Sequence, residues 1–294
     1  MLVAPVLWST AGVVTRHMER ATPFEQVFWR SMFAFATIFL LLLFSRKNPW
    51  REAGRMGAPG LISGAMWAVM FTAFVLALSL TSTANTLVVM SVSPLLTAVA
   101  AWLFLREPVP LRTWLAASAS AVGIAWMAAA GVSAQGGRDL AGMAVALLVP
   151  AAAAANVVTL RAVALRNPAA QVDLVPAVML GAAISCAIGF FLSGTLQASA
   201  RDVGLLLFLG VFQLGIPCAL LVVASRTLQA PEVALLGLLE IVLGVLWTWL
   251  FAGETPATST LLGGAVVLGA LVLNELPRKA ARMPPQASAT RISG

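Results

Sequence analysis

The chain has 294 residues, of which 60% are hydrophobic and only 10% charged, far below the roughly 25% charged share of soluble domains. Water is therefore not its main solvent, and at about 20 apolar residues per bilayer crossing the length holds about ten spans and excludes a sizeable soluble domain. The net charge of +7 would suit nucleic acid, but the basic residues sit between apolar runs and in the tail, which fits lipid headgroups and excludes a strand-binding stripe with interleaved aromatics.

Apolar runs predict spans near 3–16, 24–44, 58–78, 84–105, 113–131, 140–160, 171–192, 204–224, 232–252 and 258–276. The first run begins beside Met1 with no basic stretch ahead of it, so it reads as a span rather than a cleavable leader. It carries Trp8, a candidate cavity residue. Arg30 lies about two turns into the second span, where it can snorkel to the interface or pair with Glu25; a topological anchor is the expected role. Arg46-Lys47-Asn48-Pro49 ends that run. On the third span, Gly60 and Gly64 form a small face for helix packing. Trp67, Phe71 and Phe74 follow i, i+4, i+7 spacing and share a face. That face could wall a site for an aromatic or aliphatic side chain, or simply pack against lipid or another helix. The fourth span holds Met90 and Pro94, and the proline should bend it, shaping a cavity rather than acting as a moving hinge. Ala116, Ser120 and Gly123 give the fifth span its own small face.

In the second half, Asn156 on the sixth span and Gln213 on the eighth each place an amide in hydrocarbon, where it needs a partner, either a substrate or a neighbouring helix. Asp173 should be interfacial. Cys186 and Cys218 fall inside apolar runs and read as small buried hydrophobes. With His17 as its one histidine, the chain offers no His-rich metal centre, and neither a metal nor a cofactor is expected. Glu240 sits near the middle of the ninth span, where a charge costs on the order of 3 kcal/mol on insertion scales. It should face the interior or a water-filled cavity, either as a proton-responsive or amine-binding carboxylate or as a structural carboxylate bonded to another helix. Gly263, Gly264 and Gly269 give the tenth span a small face.

The two halves repeat. Trp102-Leu103-Phe104-Leu105-Arg106-Glu107 recurs 147 residues later as Trp249-Leu250-Phe251-Ala252-Gly253-Glu254, and at the same offset Ala77 matches Ala224 and Thr113 matches Thr260. Residues 1–139 and 140–277 are thus expected to be two copies of a five-helix unit, with 278–294 a basic cytoplasmic tail. An odd number of spans per copy inverts the second relative to the first, as in carriers that open alternately to either side. Arginine and lysine cluster in one set of loops (Arg46, Lys47, Arg51, Arg55, Arg106, Arg112, Arg161, Arg166, Arg226) and in the tail, which places that side and both termini in the cytoplasm. Glu107 and Glu254 should end equivalent spans on opposite faces and tie loops to helix ends. The turns at 79–83 and 225–231 would mark equivalent moving hairpins.

These residues resemble the drug/metabolite transporter superfamily, specifically its ten-span EamA-type exporters. Leu7-Trp8-Ser9-Thr10 is similar to the family's opening Leu-Trp-Gly-Ser, with Thr10 departing. Pro23 followed by Arg30, and Ala77-Leu78 through Thr81, Ser82, Pro94 and Glu107, resemble its later motifs, and Glu254 repeats the last of these. The family often shows Leu-Glu-Pro in the ninth span, whereas this chain reads Leu239-Glu240-Ile241, so symmetric bending of spans four and nine is not expected. The resemblance implies an all-α bundle of ten transmembrane helices in a bacterial inner membrane, as monomer or homodimer. It implies a central cavity lined by spans one, three, four, six, eight and nine, and export of a small metabolite by alternating access. Aromatic or other hydrophobic amino acids are the expected substrates, after the aromatic amino-acid exporter subgroup. The scarcity of basic residues within the spans disfavours phosphorylated sugars, which need Arg or Lys clamps. A passive channel or facilitator is the alternative. An intramembrane enzyme ranks lowest, since a nucleophile with its base, or a metal cluster, has few residues to draw on.

Overall fold

A computed structural model describes residues 3–46, 48–135, 137–166, 175–224 and 230–275, all of them helix or short connections. Helices run in the order α1 (Val3–Arg16), α2 (Pro23–Phe44), α3 (Pro49–Arg55), α4 (Gly57–Leu80), α5 (Thr83–Met90), α6 (Ser93–Leu105), α7 (Leu111–Gln135), α8 (Gly137–Arg166) and α9 (Val175–Ser193). Then come α10 (Ala200–Phe208), a π-helical stretch (Leu209–Gly215), α11 (Ile216–Ala224), α12 (Ala230–Ala252) and α13 (Thr258–Glu275). Seven segments are long and apolar enough to cross a bilayer: α2, α4, α5 with α6, α7, α8, α9, and the run from α10 into α11. Leu239–Ala252 and Thr258–Asn274 are shorter apolar helices. Of the expected features, Asp173, Arg226, most of the 225–231 turn and the tail lie outside the described residues.

Side-chain caps set several helix starts. The Thr22 side chain accepts from the Glu25 N–H with Pro23 next in sequence, Ser82 accepts from the Asn85 N–H, and Ser199 and Asp202 form a reciprocal capping box. The chain departs from the sequence reading at three places. Asn48 caps a short helix, α3, where a plain break was expected. The fourth span is interrupted at Ser91–Val92, and Pro94 lies in the first turn of α6, where its missing N–H leaves no helical hydrogen bond unmade. Its counterpart Ile241 lies in the unbroken α12, so the expected asymmetry holds. Third, the eighth span contains the π-helical stretch.

Glycines let backbones touch. A Cβ on Gly189 of α9 would stand 2.5 Å from the Phe28 nitrogen of α2, and one on Gly181 would stand 2.9 Å from the Gly64 carbonyl of α4. Gly123 of α7 and Gly263 of α13 face each other's carbonyls reciprocally, so Gly64, Gly123 and Gly263 serve packing inside the bundle, whereas a Cβ on Gly60 would meet only the preceding Met56 and one on Gly269 nothing within 4 Å. Outward-facing Phe44, Phe104, Val122, Phe191, Phe251 and Leu273 are exposed, as lipid contact requires. Trp102 and Trp249, equivalent in the repeat, are both exposed near helix ends, where indoles favour the membrane interface.

The two helix ends that carry the repeated sequence also share a backbone turn. Arg106 (φ 56°) and Gly253 (φ 64°) both turn left-handed after their helices. The next residue then donates six back in each case, Glu107 to the Ala101 carbonyl and Glu254 to the Thr248 carbonyl, closing the same C-terminal motif twice. These two turns lie at opposite ends of the bundle. Glu254 accepts from the Thr83 N–H and hydroxyl at the start of α5, whereas Glu107 follows the end of α6, about 30 Å away at 1.5 Å per residue.

The Glu254 end is densely tied. Arg16 donates to Glu254 at 2.8 Å and to the Thr81 carbonyl at 3.0 Å. Thr81 donates to Asp139 at 2.6 Å, Asn85 donates to Thr81 at 3.0 Å, and Thr260 donates to Asn85 at 2.6 Å. Asp202, fully buried, accepts from the backbone N–H groups of Glu19, Arg20 and Ala21 and so fastens the α1–α2 loop to α10. At the far end Glu107 pairs with Arg161 at 3.0 Å, with both side chains partly exposed.

Candidate functional site

Arg30 occupies the centre of the polar interior. It is 3% exposed and does not snorkel, and Glu25, its other expected partner, accepts from the Ala198 N–H instead. The anchor role is therefore replaced by an interior one. Its Nε and Nη2 both donate to Oε1 of Gln213, at 3.2 and 3.0 Å, and its Nη1 donates to the Phe71 carbonyl at 3.4 Å. The guanidinium carbon stands 5.3 Å from the centre of the Phe74 ring, within cation–π range. Among the described residues, no carboxylate pairs with it.

Local structure explains how these groups meet. Gly210 and Gly215 in the π-helical stretch lie directly on α2: a Cβ on Gly210 would be 2.7 Å from the Arg30 carbonyl, and one on Gly215 would be 2.8 Å from the Thr37 side chain. That close approach brings Gln213, 3% exposed, to the guanidinium. The π register, an extra residue within the turn, recurs at functional sites. Cys218 on α11 is buried in the cluster that contains Phe71 and Leu214. Cys186 and Cys218 are free thiols.

Three of the nine candidate residues, Phe71, Phe74 and Gln213, thus converge on a residue set aside in the sequence. The rest distribute around them. Trp8 and Trp67 pack partly buried against the cluster that contains Phe71, Leu214 and Cys218. Met90 packs against the cluster that contains Phe74, Leu87 and Ile241. Ile241 neighbours Glu240, which keeps part of its surface accessible. The shared face of Trp67, Phe71 and Phe74 is therefore interior, not lipid-facing. Asn156 on α8 is buried, and among the described residues its Oδ1 has no hydrogen-bond partner; the same is true of Nε1 of Trp67. Pro94 marks the α5–α6 break and is partly exposed; no contact joins it to the Arg30 group. Among the described residues no group of histidine, cysteine or carboxylate side chains could hold a metal ion.

A lipid-facing helical bundle with a buried cation, amides and aromatic rings at its centre defines a multi-pass membrane protein with a polar interior. The EamA-like transporter family model matches residues 1–129 and 140–275, and the chain belongs to that family of membrane transporters of small solutes. No curated protein matches the chain. A solved structure described as "Crystal structure of protein" is similar with a TM-score of 0.61 and 18% identity, covering 92% of this chain and 93% of that one, a likeness of fold.

Proposed function

We propose that the protein exports small amphipathic metabolites, aromatic or other hydrophobic amino acids foremost, by alternating access through a central cavity. The observation that carries this reading is the meeting of Arg30, Gln213, Phe71 and Phe74 inside a bundle whose outer surface is apolar. Charged and amide groups flanked by aromatic rings suit a zwitterion with an apolar side chain. α1, α12 and α13, added to the seven long segments, make ten crossings. Two inverted five-helix copies, 1–139 and 140–277, would account for matching turns at Arg106 and Gly253 lying at opposite ends. The Glu107 end carries most of the loop arginines and would face the cytoplasm of a bacterial inner membrane, with both termini on that side. Glu240 is the proton-responsive candidate.

Purified protein in liposomes tests this. Labelled phenylalanine uptake is expected to saturate and to show counterflow. Glu240→Gln is expected to cut the component driven by a pH gradient by about tenfold, the equivalent of about 1.4 kcal/mol. Flux linear in concentration would mark a channel instead, and an unaltered mutant would remove Glu240 from coupling.

A further inference from the structure

Arg30 is held in an unusual way. A guanidinium has five N–H donors in a planar fork, and its Nε–Nη2 edge is the side that takes a carboxylate through two parallel bonds. Here both donors of that edge converge on a single neutral oxygen, Oε1 of Gln213. Among the described residues, the only other hydrogen bond Arg30 makes is a long one, to the Phe71 carbonyl. The remaining stabilisation is the Phe74 ring. A buried ion is costly to desolvate and is ordinarily balanced by an opposite charge. Structural bridging between α2 and the π-helical stretch needs no charge at all; a neutral amide at position 30 could serve.

The surroundings are also short of acceptors. Nε1 of Trp67, one turn along α4 from Phe71 with ring centres 5.4 Å apart, is buried without an acceptor among the described residues. Gln213 sits on a π-helical stretch, an irregularity that is frequent at functional sites.

We propose that Arg30 is the receptor for a carboxylate of the transported molecule, with Gln213 Oε1 standing where one carboxylate oxygen binds and yielding to it. This rests on the transporter reading above and sharpens it: the acid group of the solute is obligatory, and its amine is not read by Arg30. The Phe71 and Phe74 rings then flank the apolar part beside the bound head.

The test uses the reconstituted full chain and three probes: phenylalanine, phenethylamine, which lacks the carboxylate, and 3-phenylpropionate, which lacks the amine. Each is measured for transport and for ligand-induced thermal shift. The wild type is expected to recognise the two carboxylates and to reject phenethylamine by at least about tenfold in KM. Arg30→Gln should abolish that discrimination. Gln213→Glu separates the roles, because it supplies Arg30 with a permanent partner. The variant should melt higher than the wild type yet lose transport and ligand-induced shift for both carboxylates.

A Gln213→Glu protein that melts higher and keeps the wild-type KM would make Arg30 structural and overturn the proposal. So would wild-type protein that moves phenethylamine as well as phenylalanine, while leaving the transporter reading intact. Arg30-dependent handling of 3-phenylpropionate without phenylalanine would support the carboxylate receptor and remove the amino-acid reading. Wild-type protein that neither binds nor moves any probe would overturn both.

Discussion

Gly189→Val is expected to be the most damaging single substitution in the bundle, lowering stability by about 3 kcal/mol or more. A Cβ at Gly189 meets the Phe28 nitrogen at 2.5 Å, the Phe24 carbonyl at 2.8 Å and the Phe28 Cα at 2.8 Å, all backbone atoms of α2. No rotamer change relieves such contacts, so the α2–α9 crossing must open. That crossing also holds Ser31 of α2 against Ser185 of α9, hydroxyl to hydroxyl at 3.0 Å, and Thr72 of α4 joins the same Ser185 at 3.0 Å. Opening it separates the face of α2 that carries Arg30 from its support. Thermal unfolding in detergent measures the effect, with Gly269→Ala as the control. A Cβ on Gly269 meets nothing within 4 Å, so this substitution should be neutral or slightly stabilising through helix propensity. Equal melting temperatures for Gly189→Val and the wild type would mean that the helices do not approach this closely.

The second large effect is expected at the ion pairs on the two faces. Glu254 from the second half holds Arg16 and the start of α5 from the first, while Glu107 from the first half holds Arg161 from the second. The two glutamates match at the 147-residue sequence offset, whereas Arg16 and Arg161 are two residues out of that register. The two ion pairs are unequal in strength. Glu254 accepts from Arg16, from the Thr83 N–H and from its hydroxyl, and the Asp139–Thr81–Asn85–Thr260 chain lies beside it. Glu107 has one ion pair between partly exposed side chains, an arrangement worth about 1 kcal/mol at most.

If the faces open alternately, this conformation is closed at the Glu254 face. Removing charged hydrogen bonds there, each worth about 1.5–3 kcal/mol, should shift the population by about ten- to a hundredfold toward opening on that side. Cys218, buried in the cluster that contains Phe71, is the reporter in a Cys186→Ala background. Glu254→Gln is expected to speed its labelling by an impermeant thiol reagent added at that face about tenfold or more. Glu107→Gln should leave that labelling unchanged or slower. Equal acceleration by both variants would indicate loosening of the bundle rather than directional latching.

The sequence carried most of the helix layout because a bilayer demands long apolar runs and proline or charge between them. The expected 24–44 and 258–276 appear as Pro23–Phe44 and Thr258–Glu275, and the sequence repeat appears as two identical helix-ending turns. Glu107 and Glu254 tie loops to other helices, as their places at helix ends suggested. What escaped depended on long-range partners. Arg30 reads as an interfacial cation because its neighbours in sequence are apolar and a helix end is within reach. Its actual partner, Gln213, is 183 residues away. The π-helical stretch has no periodicity of its own in an all-apolar segment, and only Gly210 and Gly215 hint at a close approach. The short α3 has a start signal in Asn48 ahead of Pro49, with Glu52 in the first turn, but seven residues are too short to show an apolar period. Trp67, Phe71 and Phe74 share a face by spacing, yet only the packing of α4 against α2, α8 and α9 decides that this face is interior.

The inverted duplication is tested most directly by the sidedness of the two equivalent turns. Single cysteines at Pro108 and Thr255, in a background without Cys186 and Cys218, are reacted with an impermeant thiol label in intact cells and again after permeabilisation. The account predicts that Thr255→Cys reacts from outside and that Pro108→Cys reacts only once the membrane is breached. Labelling of both from the same side would contradict it.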